Sequence, residues 1–588
     1  MVLKRLAVLL ILSLLPILVI AQRDVTLKII QTSDVHGAIL PFDFINNQAV
    51  DFGLAHVITY VNQERNKENQ EVILLDNGDM LQGQPTVYFA NYMDSLNHHV
   101  IPRIMNYMGY DAATVGNHDI EAGPKIYNQL VNEFEFPWLS ANILDKKTGL
   151  PYFKPYTIIN RQGVRIAVMG LTTPGVIKWL SPTLWPQMEF VDMVDAAKTW
   201  MDSIRINENP HIVIGLFHSG HDASFEGANP NEPLNENASS LVGKQVPGFD
   251  VLLIGHDHDR VVKKIVNCQN DSVLIVDPSS QARVISEVVI KVNLNENDEI
   301  VKKTVSGELI PMQGLMPDPE YVSYFSDFSR HVEEFVDRRI GSITTTVSSR
   351  DAYFGPSEFV NLIHTVQLGV SNTDISFAAP LSFDVSIEQG PVYVRDMFKL
   401  YIYENLLYIM NLSGKEIKDY LEYSYSLWLN TMSSADDNLL LFRKGDDGKL
   451  ITHNNGRALL KSSYFNFDCA AGIRYQVDAS KPVGQRVNIL SMEDGSPFSQ
   501  EKIYQVAINS YRGTGGGEHL TQGVGLTQQE IRKRIVSTSS KDMRYFLMKW
   551  IEHSGKYNPV NPNNWEIIPT EWVQKAAKKD RFLLFGEE

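Results

Sequence analysis

The sequence has little cysteine: Cys268 and Cys469 are the only two among 588 residues. Two cysteines cannot build the disulfide framework that stabilises small secreted domains. The same count excludes a cysteine-ligated zinc site. We therefore expect two unpaired thiols or one incidental bridge.

Positive charge is also scarce. Lysine and arginine number 53 against 69 aspartates and glutamates, which gives a net charge of −16. An acidic chain lacks the cationic surface that sequence-independent binding of a nucleic-acid polymer requires. A small anionic substrate remains compatible with this charge, provided that bound metal ions reverse the field locally.

Long apolar runs are missing after the first residues of the chain. Lys4 and Arg5 precede the apolar stretch 6–20, and "VIA" (19–21) offers small or slim residues for cleavage. This stretch is short for a membrane span, so we interpret residues 1–21 as a cleaved signal peptide, with an uncleaved anchor as the alternative. The prediction is an exported protein without stable membrane insertion, in a periplasm or else at the cell surface.

The length and the pattern of apolar runs predict two α/β domains. A chain of 588 residues exceeds what one hydrophobic core usually serves. Short apolar runs alternate with helix-like stretches in the first half, as in layered α/β domains. We place the first domain at 22–316 and a linker helix at 317–343, with Gly341 near the end of the helix. The second domain would span 344–550, followed by a Pro/Asn-rich tail at 551–588.

Metal-binding residue types follow five of the predicted strands, at the point where each strand ends. The strands are 25–30, 71–75, 111–115, 211–217 and 250–254, and the residues that follow them are Asp34 and His36, Asp79, Asn117 and His118, His218, and His256 and His258. Ligands bind outside the carboxyl ends of strands in α/β sheets, because the loops converge there. Any one loop is an ordinary turn, but all five together predict two metal ions about 3.5–4 Å apart.

The order of these blocks resembles that of the calcineurin-like metallophosphoesterases: D-x-H, G-D, G-N-H-D/E, H-x-G-H and G-H-x-H. From residue 25 to about residue 550, the layout resembles the exported 5′-nucleotidase and 2′,3′-cyclic-nucleotide phosphodiesterase family. The resemblance implies an α/β/β/α metallophosphoesterase domain, joined by a helix to a second α/β domain that binds the substrate. It also implies two metal sites. Asp34, His36 and His258 would hold one metal and Asn117, His218 and His256 the other, with Asp79 bridging them.

The same resemblance gives His118 a catalytic role outside the metal coordination. It would stabilise the phosphoryl transition state or serve the leaving oxygen, while Glu121 stands where 5′-nucleotidases carry an aspartate that orients this histidine. A hydrogen-bonded carboxylate would raise the histidine pKa. Mixed aspartate, asparagine and histidine ligands suit Mn²⁺, Zn²⁺ or Fe²⁺.

Several neighbours of these residues have no predicted role in the chemistry. For Asp76, Asp119, His221, Asp257 and Asp259 we expect solvated or supporting positions. The segment "ENA" (236–238) is similar to a family segment without a clear chemical role.

Two blocks of the second half, 464–478 and 506–520, are similar to those that bind the nucleotide base in this family. They look more like the cyclic phosphodiesterases and 3′-nucleotidases than the 5′-nucleotidases. By that likeness Phe465 and Tyr511 would stack on the base, and Tyr464 competes with Phe465 because a shift of one residue would exchange their faces.

The sequence therefore predicts a monomeric dimetal hydrolase of small nucleotides, with 2′,3′-cyclic phosphodiesterase and 3′-nucleotidase activity as the first interpretation. A 5′-nucleotidase that also splits UDP-sugars is the nearest alternative, and Glu121 favours it. A sulfur-ester hydrolase and a non-catalytic surface binding protein are more distant alternatives.

Overall fold

The structure is a computed structural model that describes residues 23–94, 98–225, 228–453 and 455–586. The predicted signal peptide lies outside the described residues. Within the described ranges, no helix combines the length and apolar character that a bilayer crossing requires.

The first domain contains two six-stranded sheets. In spatial order, the first sheet consists of Ile300–Pro311, Val284–Leu294, Arg23–Thr32, Glu71–Asp76, Ala112–Thr114 and Trp138–Leu139. The second sheet consists of Arg260–Val266, Ser272–Pro278, Val251–Ile254, Ile212–His218, Val164–Thr172 and Tyr156–Arg161.

The two sheets pack face to face. Leu27 and Ile29 of the first sheet share one buried apolar cluster with Ile214 and Leu253 of the second. Successive strand residues point to opposite faces, so Ile30 instead packs among the helices that cover the outer face of the first sheet. The first domain has the following helices besides the two on the second sheet, and they include those that cover this face: Leu54–Arg65, Pro85–Tyr92, Val100–Met108, Asn117–Glu121, Pro124–Glu133 and Val176–Trp179.

The outer face of the second sheet is covered by the helices Met193–Asn207 and Ser239–Gln245. Two short ribbons complete the domain, Phe42–Asp43 with Gln48–Ala49 and Ile143–Asp145 with Met188–Phe190. The four layers are helices, sheet, sheet and helices, which confirms the predicted α/β/β/α class.

The central strands of each sheet are parallel, and this brings the five loops together. Arg23–Thr32 runs parallel to Glu71–Asp76, which runs parallel to Ala112–Thr114. In the second sheet, Ile212–His218 runs parallel to Val251–Ile254. The carboxyl ends of parallel strands lie at one edge of a sheet, and all five loops start at such ends.

The connection between the domains differs from the single helix that we predicted. Two helices occupy it, Pro319–Tyr324 and Ser326–Val336, and they are followed by the strand Arg339–Ile343. Gly341 therefore does not end a helix. A Cβ at Gly341 would lie 2.8 Å from Cγ2 of Ile551, so its packing against a later helix explains the glycine.

The second domain is built on a five-stranded sheet, in the order Cys469–Ala471, Ile375–Ala378, Ile503–Asn509, Leu406–Ser413 and Ile535–Asp542. Its helices are Glu358–Ser371, Val394–Leu400, Gly414–Trp428, Ser510–Gly513, Gln528–Arg534, Met543–Ser554 and Thr570–Phe585. Three smaller sheets accompany it: Val487–Met492 with Ile473–Asp478 and Trp565–Ile568, Arg339–Ile343 with Gly390–Tyr393, and Val347–Ser348 with Ser386–Ile387.

The segment predicted as a tail contributes to this domain. Its strand Trp565–Ile568 pairs in parallel with Ile473–Asp478. The buried Asp580 of its last helix accepts hydrogen bonds from the backbone N–H groups of Leu439 and Leu440, both at 2.8 Å. The run of prolines and asparagines marks a connection within the domain, and the end of the domain lies further along the chain.

Candidate metal centre and substrate pocket

The five loops bring the predicted ligands into two groups. Asp34, His36 and His258 form one group, and Asp79, His218 and His256 form the other. In each group, the possible ligand atoms all lie within 4.8 Å of one another. Asn117 adjoins the second group, because its Oδ1 lies 3.0 Å from Nε2 of His218.

Five of these predicted ligand residues have left-handed backbone conformations. The φ angles are 49° at Asp34 and His36, 57° at Asp79, 85° at His256 and 56° at His258. Such a conformation costs a residue other than glycine roughly 1–3 kcal/mol, and it persists where the surrounding structure imposes it. Backbone hydrogen bonds between the loops do so here: the N–H of Asp34 donates to the carbonyl of Gly78 at 3.0 Å, and that of His36 to the carbonyl of Asp79 at 3.0 Å.

Glycines precede three of the ligands because the loops approach each other closely. A Cβ at Gly116 would lie 2.1 Å from Oδ1 of Asp79, and one at Gly255 would lie 2.5 Å from Oδ2 of Asp34. At Gly78 a Cβ would meet the backbone N of Gly116 at 2.6 Å. Any side chain at these positions would push one ligand loop away from the next.

Main-chain carbonyls orient two of the histidines. Nδ1 of His36 lies 2.9 Å from the carbonyl oxygen of Gln82, and Nδ1 of His218 lies 2.6 Å from that of Asn77. An Nδ1–H that donates to a carbonyl leaves Nε2 as the basic nitrogen that can ligate a metal. Both Nε2 atoms point to the centre of the cluster, where Nε2 of His218 lies 3.2 Å from Oδ2 of Asp79.

Asp119, to which we gave no role in the chemistry, supports the Asp79 loop. Its fully buried carboxylate accepts backbone hydrogen bonds from Gly116 at 2.8 Å, Asp79 at 3.0 Å and Met80 at 2.9 Å. The side chain thereby fixes two ligand loops against each other. Nothing in the local sequence distinguishes it from a solvated loop aspartate.

The buried charges of the cluster favour cations. Burial alone would lower the pKa of His218, but the Asp79 carboxylate raises it to about 10. Burial opposes ionisation of Asp79 too, yet the His218 and His118 imidazoliums hold its pKa well below the usual range. Divalent cations could replace the protons that balance these carboxylates, and the donor set of aspartate, asparagine and histidine suits borderline ions such as Mn²⁺, Zn²⁺ and Fe²⁺.

His118 lies beside the predicted metal ligands and contacts Glu121. Its Nδ1 is 2.5 Å from Oε2 of Glu121, so the longer glutamate side chain does reach the histidine. Nε2 of His118 is 4.0 Å from Oδ2 of Asp79. Burial would lower the pKa of His118, but the carboxylates of Asp79 and Glu121 outweigh burial and raise it to about 9.

A cavity of about 250 Å³ opens beside this centre, between the two domains. Its walls are Asn117, His118, Glu121, Trp179, Leu180 and His256 from the first domain, and Leu381, Tyr403, Asn405, Phe465, Asn509 and Tyr511 from the second. The predicted base-stacking residues thus share one cavity with the predicted catalytic histidine. Tyr464 does not line the cavity and packs against Phe383 instead, with ring centroids 5.5 Å apart.

A buried arginine, which the sequence reasoning missed, fixes the two aromatic residues of the second domain. Nη2 of Arg512 donates to the carbonyl of Phe465 at 2.6 Å, and its Nε donates to Asp468 at 2.7 Å. Its guanidinium carbon lies 5.1 Å from the centre of the Tyr511 ring. Arg512 therefore connects the Phe465 loop to the Tyr511 helix, and only its place beside Tyr511 in the sequence could have indicated this.

Two further residues contact His256. Oε1 of Glu236 lies 3.3 Å from Nε2 of His256, which gives the segment "ENA" a place in the site. The indole of Trp179 stacks on the same imidazole, with ring centroids 5.4 Å apart and an interplanar angle of 23°. Trp179 was missed because it follows no predicted strand directly.

Two family models match the chain in the regions that form this site. Residues 27–260 match the calcineurin-like phosphoesterase model, and residues 339–522 match the 5′-nucleotidase C-terminal domain. The chain belongs to the 5′-nucleotidase family of calcineurin-like phosphoesterases. The order of the two matched regions is that of the two domains described above.

Known proteins resemble this member of the 5′-nucleotidase family over most of its length. The trifunctional nucleotide phosphoesterase protein YfkN of Bacillus subtilis is 25% identical over 93% of the chain, although the chain spans only 39% of that longer protein. The 2′,3′-cyclic-nucleotide 2′-phosphodiesterase/3′-nucleotidase of Salmonella typhimurium is 24% identical, over 93% of the chain and 89% of the relative.

The fold is shared with a solved structure of the same two-domain type. The 5′-nucleotidase precursor of Thermus thermophilus superposes with a TM-score of 0.60 at 19% identity, over 92% of this chain and 99% of that one. At this identity the likeness concerns the fold alone.

Proposed function

We propose that this protein is an exported, monomeric dimetal hydrolase of nucleotide phosphoesters, acting as a 2′,3′-cyclic-nucleotide 2′-phosphodiesterase and 3′-nucleotidase. One observation carries the assignment to nucleotide phosphoesters: a single cavity is lined both by His118 beside the ligand cluster and by the aromatic residues Phe465 and Tyr511. The Salmonella typhimurium relative named for this activity supports it across both domains. Export, into a periplasm or to a cell surface, rests on the sequence pattern of residues 1–21.

Two groups of ligands would hold the cations. Asp34, His36 and His258 would bind one ion and Asn117, His218 and His256 the other, while Asp79 would contact both. When bound, two such ions lower the pKa of water and neutralise the charge of phosphate oxygens. The close packing of the ligand loops keeps the donor atoms in place before the substrate enters.

His118 would act on the phosphoryl group from beside the ligand cluster. Its Nδ1–H is held by Glu121, which leaves Nε2 to donate a hydrogen bond or a proton to an ester oxygen in the cavity that His118 lines. Glu121 orients the ring and favours its charged form. The residue that would transfer protons, His118, is therefore distinct from the residues that would bind the metal ions.

The second domain would bind the base. A purine or pyrimidine between Phe465 and Tyr511 gains about 1–3 kcal/mol from each stack, with little preference among bases. Arg512 contacts both aromatic residues, because it donates to the carbonyl of Phe465 and lies 5.1 Å from the centre of the Tyr511 ring. A base bound there directs the ribose phosphate towards His118, which lines the same cavity.

A 5′-nucleotidase that also splits UDP-sugars is the second candidate, and Glu121 favours it. Its side chain reaches Nδ1 of His118 as an orienting carboxylate should. A stacked base can present a 5′-phosphate or a 2′,3′-cyclic phosphate, so the cavity suits both activities. The likeness of blocks 464–478 and 506–520 to those of the cyclic phosphodiesterases favours the first candidate.

The deciding experiment is hydrolysis of 2′,3′-cAMP, 3′-AMP, 5′-AMP and UDP-glucose by the purified protein, with Mn²⁺ or with EDTA. The proposal predicts Mn²⁺-dependent turnover that is fastest on 2′,3′-cAMP and 3′-AMP. Faster turnover of 5′-AMP and UDP-glucose would support the second candidate, and inactivity on all four would overturn both.

A further inference from the structure

A third cluster of possible metal ligands lies outside the two groups described above. Its members are His221, Asp257 and Asp259, whose possible ligand atoms lie within 4.8 Å of one another. His221 follows the ligand His218 by three residues, and Asp257 stands between the ligands His256 and His258. The cluster thus spans two of the five ligand-bearing loops.

A buried oxygen atom without a partner faces this cluster. Oδ1 of Asn237 is shielded from solvent and has no hydrogen-bond partner in the described part of the chain. The residue as a whole is only 5% exposed. A buried acceptor left unpaired costs about 1–3 kcal/mol, so this oxygen requires an explanation such as a bound ion.

The position of Gly220 shows that the Asn237 oxygen and the cluster converge. A Cβ built on Gly220 would lie 2.5 Å from Oδ1 of Asn237 and 2.6 Å from Oδ2 of Asp257. The two side chains therefore approach the same point, beside a residue that has no side chain to fill it. Asp257 is also close to His221, because Nδ1 of His221 lies 3.1 Å from its Oδ2.

The backbone also joins the two loops at this cluster. The N–H of His221 donates to Oδ2 of Asp257 at 3.0 Å. Lys263 interacts electrostatically with both Asp257 and Asp259.

We propose that His221, Asp257 and Asp259, together with the side-chain oxygen of Asn237, form a third divalent-cation site. Two carboxylates, an imidazole and an amide oxygen suit a borderline cation such as Mn²⁺ or Zn²⁺. The ion would connect the loop after His218 to the loop that carries His256 and His258. It would therefore stabilise the arrangement of the dimetal ligands without contacting the substrate.

The test is the number of Mn²⁺ ions bound to the full protein after equilibrium dialysis, measured by elemental analysis. The wild type should hold three ions per chain. Asp259→Ala should hold two, and this exposed residue can be changed without disturbing the core. Asp222→Ala removes the same charge from an exposed neighbour outside the cluster, so it should still hold three.

Two ions in the wild type, or any number other than two in Asp259→Ala, would overturn the third site. A wild type that holds two ions would leave the dimetal proposal intact, whereas one that holds fewer would contradict that proposal as well. Anomalous diffraction at the manganese edge gives an independent readout, because the third site requires a peak between His221 and Asp257.

Discussion

Tyr511→Ala removes one of the two aromatic faces that we assign to the base. The side chain is half-buried at the cavity wall, and a lost stack of about 1–3 kcal/mol corresponds to a KM raised roughly 5- to 150-fold for nucleotide substrates. Hydrolysis of bis(p-nitrophenyl) phosphate, which contains no base, needs only the metal centre and should change far less. Steady-state kinetics on 2′,3′-cAMP and on this diester measure the difference.

A structural role for Tyr511 would give a different pattern. Arg512 stacks on the ring, and the loss of such a cation–π contact costs about 0.5–1 kcal/mol at a site of this exposure. A small decrease in melting temperature is therefore expected, and Tyr511→Phe serves as the control because it keeps the aromatic face. Equal losses of activity on both substrates, with a large decrease in melting temperature, would refute base stacking by Tyr511.

Three other substitutions test separate parts of the site. His118→Asn should lower kcat by about 10²-fold or more while both metal ions of the centre stay bound, and loss of metal would show that the histidine is a ligand. Glu121→Gln should lower kcat less than His118→Asn does, because the amide oxygen still accepts from Nδ1; an equal loss would mean that the negative charge of Glu121 is essential. Glu236→Gln should weaken metal binding about 10- to 100-fold through His256, whereas the exposed Glu232→Gln in the same loop should not, as metal titrations would show. Equal affinities in the two variants would remove Glu236 from the site.

The sequence predicted the parts of the site that follow strands directly. Asp34, Asp79 and His218 could be found because each follows an apolar run, and parallel strands place such positions at one edge of a sheet. The α/β/β/α class and the order of the two domains were predicted as well. The glycines before three of the proposed ligands are explained in the structure by the close approach of the loops.

The parts that were missed depend on contacts between distant segments. Arg512 and Asp119 act through buried hydrogen bonds to backbone groups of other loops, which no local pattern reveals. A glycine is expected both at the end of a helix and at a close contact with another helix, and the sequence does not distinguish the two. Gly341 makes the second kind of contact, because it packs against Ile551. Similarly, the prolines and asparagines near residue 560 resemble a tail but connect two parts of one domain.

The most direct test of the dimetal assignment is the rate of 2′,3′-cAMP hydrolysis as Mn²⁺ is added back to metal-free protein, with Asp79→Ala alongside the wild type. Asp79 is the one ligand assigned to both ions, so its loss should impair the whole centre. The account predicts no turnover without metal, restoration of the wild-type rate by Mn²⁺, and loss of most activity and metal binding in Asp79→Ala. Turnover in EDTA, or a rate above about one tenth of the wild type in Asp79→Ala at saturating Mn²⁺, would contradict the assignment of Asp79 to two catalytic metal ions.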